Sequence, residues 1–111
     1  MNTTKQWDSE LGREFTIPEL EIIGDESSEE FIARHRANIA MAIYMAAKLL
    51  IENEYERAPI FAIQGEDVVF YLDKEETDKS VAQCLEYFTE IEDYEKCSEL
   101  VQLKKKNDER K

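Results

Sequence analysis

Residues 39–51, "IAMAIYMAAKLLI", decide the fold. Only Tyr44 and Lys48 interrupt the apolar run, in a chain of 111 residues with formal net charge -12. No Gly or Pro occurs between Gly24 and Pro59, and Ser27 with Glu30 fits the S-x-x-E capping box that opens a helix. A helix is therefore expected from about Ser27 to about Tyr55. Helical spacing sorts its apolar residues into stripes. Ile32, Ile39, Ile43, Ala46 and Leu50 make one, and Phe31, Ala42, Met45 and Leu49 a second. Ala37, Ala40, Met41, Tyr44 and Ile51 fill much of the remainder. A helix apolar nearly all round is a buried one. Its alanines let neighbours approach closely, so this helix is expected to be the spine of the domain.

Downstream, "PIFAIQGEDVVFYLD" (59–73) reads as a β-hairpin. Residues 60–64 and 68–72 are the strands, and Gly65, Glu66 and Asp67 the turn. Neither strand alternates apolar with polar, a pattern that suits strands covered on both faces. The spine would take one face and the last third of the chain the other. In that last third Leu85, Phe88, Ile91, Tyr94, Cys97, Leu100 and Leu103 recur at every third residue. On one straight helix each such step falls about 60° short of a turn, so the stripe would wind around the axis. A break at residues 91–93 restores phase. Val81, Cys84, Leu85 and Phe88 then share one face. Tyr94, Cys97 and Val101 share another, flanked by Leu100. Asp93 becomes the N-cap of the second helix.

Upstream, "EFTIPELEIIG" (14–24) has β-branched residues, a Pro and a closing Gly. It reads as an extended arm or edge strand, because Pro18 argues against a central strand. Trp7 is a candidate docking anchor on that arm; residues 1–12 read alternatively as an unordered tail. The expected fold class is α+β: an extended N-terminal arm (1–26), then one compact domain (27–106) with a long buried helix, a β-hairpin and a C-terminal helical hairpin. A charged tail (107–111) would follow.

The second half of that helical hairpin, "EIEDYEKCSELVQLKKK" (90–106), resembles the UVR motif, a short helical hairpin of excision-repair proteins and Clp-protease adaptors. Glu92, Asp93, Tyr94 and Glu95 match its acidic-aromatic turn. Cys97 and Ser98 take its small positions, and Leu100 its Leu. Val101 and Gln102 stand where the family has Arg-Asp. The resemblance implies a protein-docking hairpin.

Charge narrows the function. The chain has 26 acidic and 14 basic residues, a surface that repels phosphate backbones and anionic lipid. Net charge is -7 over residues 1–30, +1 over 31–58, -9 over 59–100 and +3 over 101–111. The near-neutral region holds the spine, and the basic end suits a helix C-terminus. Residues 37–51 are the longest stretch nearly free of charge, shorter than the roughly 20 apolar residues of a membrane span. Two cysteines give neither a disulfide framework nor a metal quartet, and the start lacks the pattern of a signal peptide. A cytoplasmic protein without direct nucleic-acid or membrane contact is expected.

The sequence offers little chemistry. His35, the only histidine, stands between Arg34 and Arg36 and would be a poor proton acceptor. Cys84 and Cys97 fall on inward helix faces and read as small hydrophobes. Carboxylate pairs such as Glu86 with Glu90 and Glu92 with Glu95 follow from abundance. No Glu-x-x-His tetrad, calcium loop or phosphate loop occurs. No catalytic, cofactor-binding or metal-binding residue is therefore expected.

The expectation is a small acidic, non-catalytic interaction or regulatory protein. Its partner is another protein or, as a homodimer, a second copy. Met41, Tyr44 and Lys48, on a spine face left bare, would carry the contact, with Trp7 and Tyr94. The rival closure has the arm fold back through Phe15, Ile17 and Leu20. Two other functions stay open. The acidic surface could imitate nucleic-acid phosphates, as a phage or mobile-element inhibitor of a basic nucleic-acid-handling protein. A small enzyme would need His35 beside a cysteine.

Overall fold

The computed structural model describes residues 2–109. Its elements run β1 (Thr3–Asp8), β2 (Arg13–Leu20), α1 (Ser28–Arg34), α2 (Arg36–Glu52), β3 (Arg57–Ile63), β4 (Val69–Asp73), a 3₁₀ turn (Lys74–Glu76), α3 (Thr77–Glu90) and α4 (Tyr94–Glu109). The fold class is α+β. The four strands form one sheet in the order β1-β2-β3-β4. β1 with β2 and β3 with β4 are antiparallel hairpins; β2 and β3 run parallel, joined by α1 and α2.

The segment read as an arm is half of this sheet. Its hairpin closes because Asp8 accepts from the N–H groups of Glu10 (2.9 Å) and Leu11 (3.0 Å), and Gly12 takes a left-handed φ of 66°. Phe15 and Ile17 turn inward while Glu14 and Thr16 turn out, the period of a half-buried strand. Pro18 sits inside β2, which has a neighbour on each side, contrary to the edge position expected. The strand accommodates it by changing partners there. Pro18 faces Thr3 of β1, and pairing with β3 starts at Glu19 with Ala62 and Leu20 with Ile63, past the residue that lacks an N–H.

The capping box forms as the sequence predicts. Ser27 Oγ accepts from Glu30 N–H (3.2 Å), and Glu30 Oε1 accepts from Ser27 N–H (3.1 Å). The spine, however, is two helices. His35 leaves helical geometry at φ -102° and ψ 17°, while the bonds His35 N–H to Phe31 O (3.0 Å) and Ile39 N–H to His35 O (2.8 Å) persist on either side. The interruption is thus a kink. Its cause is tertiary: Nε2–H of His35 donates to the carbonyl of Glu21 (2.9 Å).

Helix α2 packs on β3 and on both helices of the α3–α4 hairpin. Ala46 and Ala47 are fully covered, and Leu50 and Ile51 join Phe88 of α3 and Leu100 of α4 in the main core. Burying each of these large side chains stabilises the fold by about 1.5–3 kcal/mol. The chain turns between α3 and α4 where the periodicity requires it. Asp93 N–H reaches back to Phe88 O (2.9 Å) and Glu92 N–H to Thr89 O (3.1 Å), a Schellman closure. Asp93 Oδ1 then accepts from Lys96 N–H (3.3 Å) as the cap of α4. Helix α4 continues through the expected tail to Glu109. Asn107 is 2% exposed and its Nδ2 donates to Asp78 Oδ1 (2.8 Å). Arg110 and Lys111, the end of that tail, lie outside the described residues.

Candidate functional site

Packing of α3 and α4 on α2, and not across the second hairpin, leaves β4 thinly covered. Along β3 most side chains are buried, but Phe70 of β4 remains 46% exposed. The strand read as covered on both faces is therefore open, and beside it runs a groove of about 560 Å³. Its floor is Phe61 and Phe70, whose rings pack 4.9 Å apart between centroids, tilted by 31°. One wall is Phe31 and Ile32 of α1 with Ile39 and Ile43 of α2. Ile22 forms a lip from the loop before α1, and Val68 and Glu66 another from the hairpin turn. A second arm of about 250 Å³ continues between α2 and α3, sharing Ile32, Ile39, Ile43 and Gln83 with the first. Ile32 is 54% exposed. The first stripe of the spine is thus exposed at Ile32, half-buried at Ile39 and Ile43, and fully buried only from Ala46 onward.

The lip is clamped. Arg34 grips Glu26 through Nη2 (2.5 Å) and Nε (3.2 Å), and the same Nη2 donates to the Glu21 carbonyl (2.6 Å). The Arg34 guanidinium, together with the Ile23 N–H that Glu26 also accepts, holds the Glu26 carboxyl down at about 2. Loop, lip and helix kink are one assembly, since His35 and Arg34 bind the same carbonyl.

The residues singled out from the sequence lie elsewhere. Tyr44 is 6% exposed, stacked edge-on against Phe88 at 6.1 Å and hydrogen-bonded to Glu99. Met41 packs against the main core, and Lys48 lies 3.9 Å from Glu99 at the edge of α4. The C-terminal hairpin thus covers the face on which the dimer expectation rested. A concavity of about 820 Å³ does lie there, but Lys48, Glu52, Glu99, Lys105 and Lys106 line it, hydrated charges that a partner would have to desolvate. Trp7 (66% exposed) stands on β1 opposite Glu14, and Tyr94 (62% exposed) opens α4; neither lines the groove. Of the other residues that carry the UVR resemblance, Leu100 is fully buried and Cys97 half-buried, its Sγ 3.5 Å from Thr89 Oγ1.

His35 and Cys84 are each engaged by a backbone carbonyl. His35 is spent on the Glu21 carbonyl. Cys84 is buried beside the Ala40 carbonyl (3.5 Å), and burial pushes its thiol up to about 12, far from a reactive thiolate. Among the described residues no three His, Cys, Asp or Glu side chains converge as metal ligands, and no helix is long and apolar enough to cross a membrane. No protein family, curated protein or solved structure matches the chain. The sequence did carry the groove's signal, since Ile32, Ile39 and Ile43 head its first stripe. What it lacked was the identity of the stripe that α3 and α4 would cover.

Proposed function

We propose that this chain is a small acidic, non-catalytic binding protein that holds a protein partner in the groove between α1–α2 and the β3–β4 hairpin. The observation that carries this reading is the apolar wall of exposed Ile32 and half-buried Ile39 and Ile43 facing the paired rings of Phe61 and Phe70. A chain with 36% charged residues has ample means to cover that wall with charge, yet it leaves it apolar. Contiguous exposed apolar surface with a polar rim is the usual mark of a protein contact. The clamp of Arg34 on Glu26 supports the same reading, because it fixes one lip before any partner arrives and lowers the ordering cost of docking. Both cysteines are free thiols, which fits action in the reducing cytoplasm.

The test places a photo-crosslinking residue at position 32 and, as control, at position 101 on α4, where Val101 is equally exposed. In the native host, position 32 should capture a discrete protein that excess unlabelled chain displaces and excess Ile32→Asp chain does not. Equal capture from both positions would remove the groove from the function. Capture that collapses with salt and is competed by Ile32→Asp would favour the acidic surface as a phosphate mimic.

A further inference from the structure

We infer that the groove's occupant is an amphipathic helix of another protein, with an apolar face and Lys or Arg along its flanks. The inference rests on the protein-docking reading above and names the chemistry of the partner. Length comes first. From the exposed Ile32 to the half-buried Ile43 the apolar wall of the groove runs eleven residues across the kink, roughly 16 Å at 1.5 Å per residue. That is about three turns of helix, long enough to seat a docked helix whose anchors at i, i+4 and i+7 span roughly 10 Å. Backbone chemistry comes second. The long walls are α1, α2 and α3, whose N–H and C=O groups are bonded within their own helices. The only strand edge nearby is that of β4, at one end of the sheet; an extended segment running on between α2 and α3 would find no ladder there for its backbone, whereas a helix arrives with its own bonds made.

Charge comes third. Glu66 stands over one arm of the groove and Glu86 over the other. Neither has an ion-pair partner among the described residues. Arg36, a cation on the same wall, is already paired with Glu90 at 2.6 Å. A cationic flank would therefore meet two free carboxylates in a field of net charge -12. A second copy of the chain would bring the same acids to the same groove and meet repulsion.

The experiment uses the full chain and two synthetic helical peptides with one Leu/Ile face, flanked by Lys in one and by Glu in the other. Methyl resonances of Ile32, Ile39 and Ile43 report groove occupancy. The Lys-flanked peptide should shift them and bind roughly tenfold more tightly than its counterpart at low salt, with the gap closing as salt rises. Glu66→Lys with Glu86→Lys should reverse the order; the peptide pair tests the same rule on the unaltered chain. Equal binding of both peptides in the groove would overturn the charge rule and leave protein docking standing. No methyl shift with either, alongside capture from position 32, would overturn the helical occupant alone. A dimer in sedimentation that Ile32→Glu dissolves would replace the partner by a second copy. Absence of shift, capture and dimer together would remove both readings.

Discussion

The hydroxyl of Tyr44 donates to the carboxylate of Glu99, joining the middle of α2 to α4 at the edge of the core. Burial, and then the Glu99 carboxylate, push the Tyr44 phenol from 10.0 up to about 12. A group bound more tightly to its proton in the folded state stabilises the fold below its unfolded pKa. That contribution is lost as pH rises from about 10 through about 12. Tyr44→Phe should cost about 1 kcal/mol at neutral pH through the lost bond. It should also flatten the alkaline decline in stability by roughly 1–2 kcal/mol. Urea titrations at pH 8 to 12 measure both effects; identical alkaline slopes in the two proteins would remove Tyr44 as the titrating group.

The link between α3 and α4 contains a cost that can be relieved. Glu92 holds φ at 60°, a left-handed conformation that its Cβ disfavours, and the Schellman closure requires it there. Glu92→Gly should stabilise the fold by about 0.5–1 kcal/mol, raising Tm by roughly 2–6 °C. Thermal unfolding followed by circular dichroism checks it. A fall in Tm would mean that the Glu92 side chain contributes more than its backbone costs.

These local features were legible in the sequence because they are local. The Ser27–Glu30 box, the break at residues 91–93 and the Asp93 cap depend on neighbours within a turn, and each forms as read. The kink at His35 was not legible, since its cause is the Glu21 carbonyl, 14 residues away. The N-terminal hairpin was obscured by Pro18, which marks an edge in most strands but here marks a change of partner. The site suffered most. Every stripe of the spine is apolar, so composition could not say which one lines the groove. Only the docking of α3 and α4 over Tyr44 decides that, and it leaves Ile32 exposed and Ile39 and Ile43 half-buried along the groove.

The end of α4 looks like a solvated tail by composition, yet Asn107 bonds Asp78 across the helical hairpin. Asn107→Ala should destabilise the chain by about 1–2 kcal/mol, because Asp78 loses a buried donor. Lys105→Ala, two residues away on the exposed face, should change stability by less than about 0.5 kcal/mol. Equal effects from the two substitutions in denaturant titrations would show that the hydrogen bond contributes nothing net.

The lip of the groove should respond to acid. Glu26 is held from 4.5 down to about 2 by Arg34 and the Ile23 N–H. A carboxyl with a lowered folded pKa lends stability that is present above about 4.5 and lost as pH falls toward 2. Carboxyl-carbon NMR titration should find Glu26 near the lower figure. Arg34→Met should return it toward 4.5 and weaken the Glu21 tether at the same time. A Glu26 that titrates normally in the unaltered chain would mean that the clamp is open in solution.

Two residues of the spine separate folding from docking. Leu50 is fully buried in the main core, and Leu50→Ala should cost about 2–5 kcal/mol by removing packed methyl groups and leaving a void. Ile32 stands more than half exposed over the groove, so Ile32→Asp should cost less than about 1 kcal/mol, its carboxylate reaching water. Binding should respond the other way. Ile32→Asp puts a charge where an apolar anchor has to sit, and should abolish capture of a partner from the groove while leaving the thermal transition nearly in place. Leu50→Ala, at a temperature well below its lowered Tm, should still bind. Ile43 lies between them, half-buried at the junction of the two arms, so Ile43→Asp should impair both properties. Melting curves and crosslinking yields from the three variants decide the matter. A loss of fold in Ile32→Asp as large as that in Leu50→Ala would mean that the stripe is core, and that the groove closes in solution.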